Sequence, residues 1–390
     1  MIDKFGFQLN TIMFYGIGHS MTLGDFLKQK GHEKVLFLAD EGVVKGADYF
    51  GRVKETVRSC VDKLHVIALR GNEEPDYDYL DAVAAEVRSL GKIDAVVGIG
   101  GGSCLDMMKA VAVLMTNPGR GIDYRGFDKL QNPGVPTIAI PTTAGTGSEV
   151  TINAVFTDKK EMKKLGINGL YMNATYAILD AEWTLSCPVH VAVSSGMDAM
   201  THALESFMCR KANGLTRVFS KEAFRLLYGA LPSLIDDPGN KTKRQELLLG
   251  SYLAGAALFN SGSGIAGALS YPIGVHFKVP HGIGGAIFLS SVVEFNVSKG
   301  YYDYSELLDL VEPCSGLSAK AKAEKFSVLM KDLSIKLGVP DYLDQWGITK
   351  DNVQETAKLM LPLQAAFDQN PVSFSAEKDA PEMLFRHIRH

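Results

Sequence analysis

The sequence predicts an α/β domain followed by an all-helical domain. In the first half of the chain, short apolar runs alternate with helical patterns, which is typical of a mostly parallel sheet covered on both faces. After residue 184 the strand-like runs largely disappear and long helical patterns replace them. A chain of 390 residues is also long for a single core. We therefore predict two domains, residues 1–184 and 185–390, joined by a hinge at the proline-containing segment SCPVH.

The strands of the first domain are predicted from apolar runs bounded by polar or glycine residues. The four runs are VLFLAD (35–40), HVIALR (65–70), IDAVVGIG (93–100) and TIAIP (137–141). Two segments between these runs, 79–91 and 103–115, carry the apolar spacing of helices. Gly91 ends the first of the two predicted helices.

The second domain is predicted from long stretches with helical spacing. They cover residues 191–208, 220–235, 243–262, 319–338 and 352–367. No internal repeat and no low-complexity tract interrupts them.

Composition excludes several classes of function. The formal net charge is -4, and the densest basic run, KEMKK at 160–164, is too short to indicate a nucleic-acid surface. No apolar run approaches the roughly 20 residues of a membrane span, and the N-terminus lacks the pattern of a secretory signal. The five cysteines are scattered and form no C-x-x-C pair, so we expect reduced thiols in a cytoplasmic protein.

A glycine-rich loop carries the first indication of chemistry. The predicted strand 93–100 ends in Gly100, Gly101, Gly102 and Ser103, and a helix follows. Glycines allow the backbone to approach an anion, and the N-terminus of a helix favours phosphate. The loop is neither G-x-G-x-x-G nor a Walker loop. A tight strand-to-helix turn without a ligand is the alternative interpretation.

A second polar loop follows the next strand, in PTTAGTGSEVT at 141–151. It offers the hydroxyls of Thr142, Thr143 and Ser148 beside bare glycine backbone. Two such loops after strands of one sheet indicate a nucleotide diphosphate that spans them. Asp40, at the end of an earlier strand, would accept hydrogen bonds from a ribose and repel a 2′-phosphate, which favours NAD over NADP. Capping of the next turn by Asp40 is equally compatible with its position.

The helical half contains an acidic and an imidazole side chain on an apolar stretch, GMDAMTHALESFM at 196–208. Asp198 and His202 are four residues apart, so they project from the same face of a helix. They form either a pair of metal ligands or a carboxylate–imidazole pair with no metal.

Four motifs in a fixed order resemble the iron-containing alcohol dehydrogenase family. They are GGGSCLDMMKA, PTTAGTGSEVT, DAMTHALESF and VPHGIGGAIFL, and the similarity extends across nearly the whole chain. The resemblance implies a Rossmann-like N-terminal domain and a helical C-terminal domain, the architecture of dehydroquinate synthase. It implies a cleft that holds NAD(P) and one divalent metal, Fe(II) or Zn. It also implies interconversion of alcohols with aldehydes or ketones, by homodimers or larger homo-oligomers.

The resemblance also assigns residues. By it, Asp40 helps to choose between NAD and NADP, and Asn153 and Lys164 line the cleft near ribose and substrate. The pyrophosphate and second-loop positions are Gly100, Gly101, Gly102, Ser103, Asp106, Thr142, Thr143 and Ser148. Asp198, His202 and His281 match three of the usual four metal ligands.

One usual metal ligand is missing. The family places a histidine fourteen residues before the position of His281, where this chain has Gly267, and another four residues later, where it has Tyr271. Between His202 and His281 the chain contains only His276. Three interpretations follow: a metal held by three protein ligands with an open position, recruitment of His276 as a fourth ligand, or loss of the metal.

The expected reaction is hydride transfer between nicotinamide and a polar, possibly acidic, alcohol or its aldehyde. A proton must also move, and His276 or Tyr271 would carry it, with His276 favoured because an imidazole titrates near neutral pH. Lys164 would face an acidic substrate group or the ribose. The alternatives are oxidation of a sugar-acid hydroxyl with another acceptor, a dehydroquinate-synthase-like lyase, and a metal-free nucleotide-binding pseudoenzyme.

Overall fold

The computed structural model describes residues 4–71, 74–161 and 163–389. Their contacts divide the chain into two compact units. The α/β unit contains the described residues of 9–188 together with 239–249. The helical unit contains residues 4–8, 189–238 and 250–389. Among the described helices, none combines the length and apolar character needed to cross a membrane.

The strands all belong to the α/β unit. Their bounds are β1 Ile12–Tyr15, β2 Lys34–Asp40, β3 Lys63–Leu69, β4 Ala95–Gly100, β5 Gly126–Phe127, β6 Thr137–Pro141, β7 Asn153–Asp158, β8 Lys163–Asn168 and β9 Tyr176–Leu179. The helices that precede the unit boundary are α1 Leu23–Gln29, α2 Glu41–Gly46, α3 Asp48–Arg58, α4 Tyr77–Ser89 and α5 Gly102–Leu114.

The main sheet is parallel and has six strands in the order β1-β9-β6-β4-β2-β3. Its register pairs Ala39 of β2 with Ile99 of β4, and Gly100 of β4 with Pro141 of β6. The carboxyl ends of these three strands therefore lie side by side. A parallel sheet of this kind binds ligands at that edge.

Both faces of the main sheet are buried, as the unbroken apolar runs predict. Alternate residues of β2 enter different hydrophobic clusters: Leu36 and Leu38 pack on one face, and Val35, Phe37 and Ala39 on the other. Helices α4 and α5 cover the first face, and α1 and α3 cover the second. Full burial of each large aliphatic or aromatic side chain contributes about 1.5–3 kcal/mol.

A second sheet follows the polar loop after β6. Strands β5, β8 and β7 form it in that order, with β7 antiparallel to β8 and β5 parallel to β8. Asn153 begins β7, and Lys164 lies in β8 opposite Thr157.

The helical unit contains the remaining helices, and no strand occurs among its described residues. Their bounds are α6 Val189–Met208, α7 Gly214–Ala230, α8 Ser233–Asp236, α9 Lys241–Phe259, α10 Ile265–Phe277, α11 His281–Ser298, α12 Tyr304–Val311, α13 Ala319–Lys336, α14 Val353–Lys358, α15 Gln364–Phe367 and α16 Asp379–Phe385.

Helix α9 begins in the α/β unit and ends in the helical unit, because residues 239–249 belong to the former. Gln245 accepts a hydrogen bond from Ala181 N at 2.8 Å and donates to Leu179 O at 2.7 Å. Arg244 donates to Thr184 O at 2.8 Å. The start of α9 thus satisfies backbone groups at the end of β9 and in the turn after it.

The predicted fold class is confirmed, and every predicted strand coincides with an observed one within two residues. Two predicted helices are each divided at a proline: 220–235 becomes α7 and α8 around Pro232, and 352–367 becomes α14 and α15 with a 3-10 turn at Pro362. Proline lacks the N–H that would continue the helical ladder. The division between units after β9 falls at 188/189, and the predicted boundary was 184/185. Two segments lie in the other unit from their sequence neighbours: residues 4–8 belong to the helical unit and residues 239–249 to the α/β unit.

Candidate active site

Three candidate metal ligands lie together in the helical unit. Helix α6 carries Asp198 and His202 on one face, and His281 is the first residue of α11. One ligand atom from each of the three lies within 4.8 Å of the other two. These are the three ligands predicted from the sequence; His276, the possible fourth ligand, is not in this group.

The donor atoms of the three residues approach one another without hydrogen bonding. His202 Nε2 is 3.7 Å and His281 Nε2 is 3.8 Å from Asp198 Oδ1, beyond the 2.7–3.2 Å of an N–H···O bond. The Asp198 side chain is only 7% exposed, against 13% for His202 and 27% for His281. A buried carboxylate is unfavourable without a partner. Two imidazole nitrogens and a carboxylate oxygen form a set that suits Zn or Fe(II), so these residues fit the implied metal.

Glu205 lies behind this group, one turn after His202 on α6. Its carboxylate is fully buried and accepts N–H bonds from Gly264 at 2.8 Å and Gly267 at 2.9 Å, at the start of α10. Burial raises the pKa of Glu205, and the two backbone donors oppose that rise. Gly267, the position of the missing histidine, therefore faces a carboxylate.

Helix α10 carries three further residues of interest. Two of them contact His281, and the third, His276, does not belong to the ligand group. Ser270 Oγ is 3.0 Å from His281 Nδ1, and the Tyr271 ring packs at 4.9 Å between centroids against the His281 ring. His276 is exposed near the end of α10 and is not a member of the described ligand group. His281 begins α11, and Pro280 is the N-cap residue of this helix.

The glycine loop joins β4 to α5 at the carboxyl edge of the main sheet. Gly101 is the N-cap residue of α5 and offers no side chain to bond the first N–H groups of this helix, and the first turn contains no acidic residue. These features suit a phosphate at the helix N-terminus. Thr142 N donates to Gly100 O at 3.0 Å, so the second loop lies beside the first.

Asp40 lies at the same edge and contacts the glycine loop. Its Oδ2 accepts a hydrogen bond from Gly101 N at 2.8 Å. Burial raises the pKa of Asp40 to about 6, and the Gly101 N–H acts in the opposite direction. A Cβ at Gly100 would lie 2.4 Å from Asp40 Oδ2, so only glycine fits between this carboxylate and α5. Asp40 is also the N-cap residue of α2, although its side chain makes no capping bond there.

The second loop is fixed by two side chains of α5, Asp106 and the buried Lys109. Ser148 Oγ donates to Asp106 Oδ1 at 2.6 Å, and Val155 N donates to Asp106 Oδ2 at 2.9 Å. Lys109 Nζ, on the next turn of α5, lies 3.3 Å from Asp106 and donates to Ser148 O at 2.9 Å and to Asn153 O. The side chains of Asp106 and Ser148 thus bond each other and stabilise the conformation of the second loop.

Two predicted cofactor or substrate residues lie in the second sheet. Asn153 is at the start of β7, and its carbonyl accepts from Lys109. The Lys164 side chain is 7% exposed and pairs with Glu74 at 2.5 Å. Any contact between Lys164 and a substrate would have to share the ammonium group with Glu74.

Sequence reasoning missed three residues that shape these sites: Lys109, Glu205 and Ser270. Lys109 and Glu205 each follow a selected residue, Asp106 and His202, by three positions on a predicted helix. That spacing places them on the same face and was a usable signal. Ser270 had no such signal, because its partner His281 belongs to a different helix.

Comparisons with known proteins agree with this geometry. Residues 10–181 match the model of the family described as iron-containing alcohol dehydrogenase, and residues 192–382 match the model of the C-terminal region of the Fe-containing alcohol dehydrogenase family. The NAD-dependent methanol dehydrogenase of Bacillus methanolicus is 30% identical over 345 residues, covering 88% of this chain and 90% of that protein. The lactaldehyde reductase of Escherichia coli K12 is 30% identical over 366 residues, covering 90% and 92%.

A solved structure of a 1,3-propanediol oxidoreductase superposes with a TM-score of 0.91 at 26% identity, covering 99% of this chain and all of that one. Motifs, fold and ligand group agree with matches that together span both units. The chain belongs to the iron-containing alcohol dehydrogenase family.

Proposed function

We propose that this chain transfers hydride between NAD and a small polar alcohol or its aldehyde, using a divalent metal held by Asp198, His202 and His281. As a member of its family the chain is an NAD-linked, metal-dependent oxidoreductase that acts on CH–OH groups. The observation that carries the proposal is the cluster of three donor atoms within 4.8 Å.

A metal held by these three residues would have coordination positions left for a substrate oxygen or water. Catalytic metal sites commonly have three protein ligands and one open position. The usual further histidine is Gly267 here, and the neighbouring one is Tyr271. This donor set favours the three-ligand interpretation over the metal-free pseudoenzyme. Fe(II) and Zn both suit two imidazoles and one carboxylate.

When bound, the cation polarises the alcohol or carbonyl oxygen, and the nicotinamide carries the hydride. The protein must hold the reacting groups and move one proton between the substrate oxygen and solvent. Tyr271 and His276 are the candidates for this proton transfer. The packing of the Tyr271 ring on His281 favours Tyr271, whereas the exposure of His276 suits exchange with solvent.

We propose NAD as the preferred cofactor. The uncapped start of α5 would receive the pyrophosphate, with Gly100, Gly101, Gly102 and Ser103 beneath it and Thr142 and Thr143 beside it. Asp40 borders the same loop through Gly101 and would oppose a 2′-phosphate by like charge. Asn153 and Lys164 are proposed to contact the ribose or the substrate.

The substrate is proposed to be a short alcohol or aldehyde with a polar or acidic substituent. The relatives named above act on methanol, lactaldehyde and 1,3-propanediol, all of them small. Replacing two imidazoles by Gly267 and Tyr271 changes the chemistry next to the metal group and supports a substrate different from simple ethanol. We further propose a homodimer or larger homo-oligomer and a cytoplasmic location, the latter from the scattered cysteines.

The test is an assay of NADH absorbance with a panel of alcohols and aldehydes, on protein purified without chelator. We expect turnover with at least one small polar alcohol, about one metal ion per chain, and loss of turnover with EDTA that Zn or Fe(II) restores. Turnover that persists after complete metal removal would contradict the metal-dependent mechanism. Turnover only with an artificial acceptor would contradict NAD as the cofactor.

A further inference from the structure

Both ring nitrogens of His281 face a polar atom of another residue. Its Nε2 lies 3.8 Å from Asp198 Oδ1, on the side of the ligand group. Its Nδ1 lies 3.0 Å from the hydroxyl of Ser270, on the preceding helix α10. Ser270 is only 1% exposed. The second contact belongs to neither the donor set nor the cofactor loops.

A second hydrogen bond of Ser270 determines which atom donates the proton between Ser270 and His281. Ser270 Oγ is also 2.7 Å from the carbonyl oxygen of Gly267. A carbonyl oxygen only accepts, and a hydroxyl has a single proton. Both contacts are satisfied only when Ser270 donates to Gly267 and His281 donates from Nδ1 to Ser270. A neutral imidazole with its proton on Nδ1 has its lone pair on Nε2.

We propose that Ser270 is a positioning residue that holds His281 in the Nδ1–H tautomer and aims Nε2 at the metal. The proposal rests on the metal-dependent function proposed above. A metal-bound histidine commonly donates its other N–H to a neighbouring acceptor, and loss of that acceptor typically weakens metal binding 10–100-fold. Ser270 is therefore a determinant of metal affinity that touches neither metal nor substrate.

The packing of α10 on α11 keeps the hydroxyl within reach. A Cβ at Gly284 of α11 would lie 3.1 Å from Ser270 Cβ, so glycine at this position permits the close approach of the two helices. Packing of Tyr271 on the His281 ring adds a second restraint on its orientation. By contrast, His202 Nδ1 is buried and has no hydrogen-bond partner among the described residues. Of the two imidazoles, His281 is therefore the one whose Nδ1 contacts a hydroxyl among the described residues.

The first test compares zinc affinity of the wild-type protein with that of Ser270→Ala, by competition with a chromophoric chelator. We expect Ser270→Ala to bind zinc 10–100-fold more weakly. Ser334→Ala is the matched control, because Ser334 is a buried helical serine whose hydroxyl bonds only the Met330 carbonyl at 3.1 Å among the contacts described. Ser334→Ala should bind zinc as the wild type does. Equal zinc affinity in Ser270→Ala and the wild type would overturn the proposal.

The second test needs no metal and no activity. Nitrogen-15 NMR of histidine-labelled apoprotein, at a pH where imidazole is neutral, reports the tautomer, and His281→Gln identifies the signal. We expect the Nδ1–H form at His281 and a shift toward a tautomer mixture in Ser270→Ala. A wild-type His281 protonated on Nε2 would overturn the proposal. A wild-type protein that binds no zinc would instead contradict the proposed function, and the spectrum would still decide the role of Ser270.

Discussion

The backbone N–H of Gly267 donates to Glu205 Oε1 at 2.9 Å, and a Cβ at position 267 would lie 2.8 Å from Glu205 Oε2. The space next to the position of the missing histidine is thus filled by a buried carboxylate from α6. Removal of the imidazole therefore coincides with a tight contact between α6 and α10.

Gly267→Ala should destabilise the protein by about 1–3 kcal/mol, because the added methyl group must displace the Glu205 carboxylate from its backbone donors. Denaturant unfolding measures this change. Gly229→Ala is the control: position 229 is also helical, nothing lies within 4 Å of a Cβ added there, and the variant should be neutral or slightly stabilised.

Gly267→His should be destabilised as well and should alter metal affinity. Unaltered metal affinity would contradict the alignment of this position with the family's histidine.

Asp198→Asn should abolish stoichiometric metal binding, because an amide lacks the negative charge that balances a divalent cation between two imidazoles. Elemental analysis of the purified variant measures the loss. Asp158→Asn serves as control, since Asp158 is equally buried but pairs with Arg125 in the α/β unit. A full complement of metal in Asp198→Asn would show that this carboxylate is not a ligand.

Lys109→Met should weaken NAD binding roughly tenfold, or about 1.4 kcal/mol, because the ammonium group holds the carbonyls of Ser148 in the second loop and of Asn153 at the start of β7. Stability should fall by about 3 kcal/mol, as expected when a buried charge loses its partner, here Asp106. Quenching of protein fluorescence by NAD measures the affinity. Exposed Lys160 provides the control variant Lys160→Met. Unchanged NAD affinity with reduced stability would limit Lys109 to a role in folding.

Asp40→Asn should change how stability depends on pH. The folded pKa of Asp40 is about 6, above the ordinary value of 3.8, so between these values the folded protein binds more protons than the unfolded chain. The free energy of unfolding therefore falls as pH rises through this window, by up to about 3 kcal/mol from this group. Asparagine keeps an acceptor for Gly101 and does not titrate, so the variant should lack this decline. Denaturant unfolding at a series of pH values measures the difference, and parallel curves would contradict it.

Tyr271→Phe should lower kcat by roughly 100-fold if its hydroxyl transfers the proton, while His276→Gln should retain most of the activity. The expectation follows from the contact of the Tyr271 ring with His281. Exposure does not separate the two residues, since both side chains are exposed. Steady-state kinetics across pH separates the two residues. A large loss of activity in His276→Gln would assign the proton transfer to His276 instead.

Four of the six strands of the main sheet, β2, β3, β4 and β6, were predictable because each is an apolar run with a clear end. The short strands β1 and β9 were not predicted. Five long helical stretches of the second half were predictable from apolar spacing, except where Pro232 and Pro362 interrupt it. Helices α11, α12 and α16 lie outside those stretches and were not predicted. Helix α10 escaped prediction because its glycines and Pro272 resemble a loop. Only burial against neighbouring helices stabilises such a sequence as a helix.

Asp198 and His202 were predictable as a pair from their spacing on one helix, and His281 through resemblance to a family. The roles of Ser148 and Asp106 were not predictable, because the bond between their side chains joins a loop to α5 across 42 positions of sequence. For the same reason the Glu205 carboxylate could not be placed against Gly267. Contacts between distant segments depend on the assembled fold.

The α/β unit is not one continuous segment of the sequence, because the start of α9 belongs to it. A fragment cut after residue 188 would lack Gln245 and Arg244. Ala181 N would lose its acceptor, and the carbonyls of Leu179 and Thr184 would keep only the backbone N–H donors of Gly16 and Cys187. A chimaera that exchanges this unit between relatives must therefore transplant two separate pieces of gene, 9–188 and 239–249. Recombination at a single crossover would join a β9 end to an α9 start that evolved for another protein.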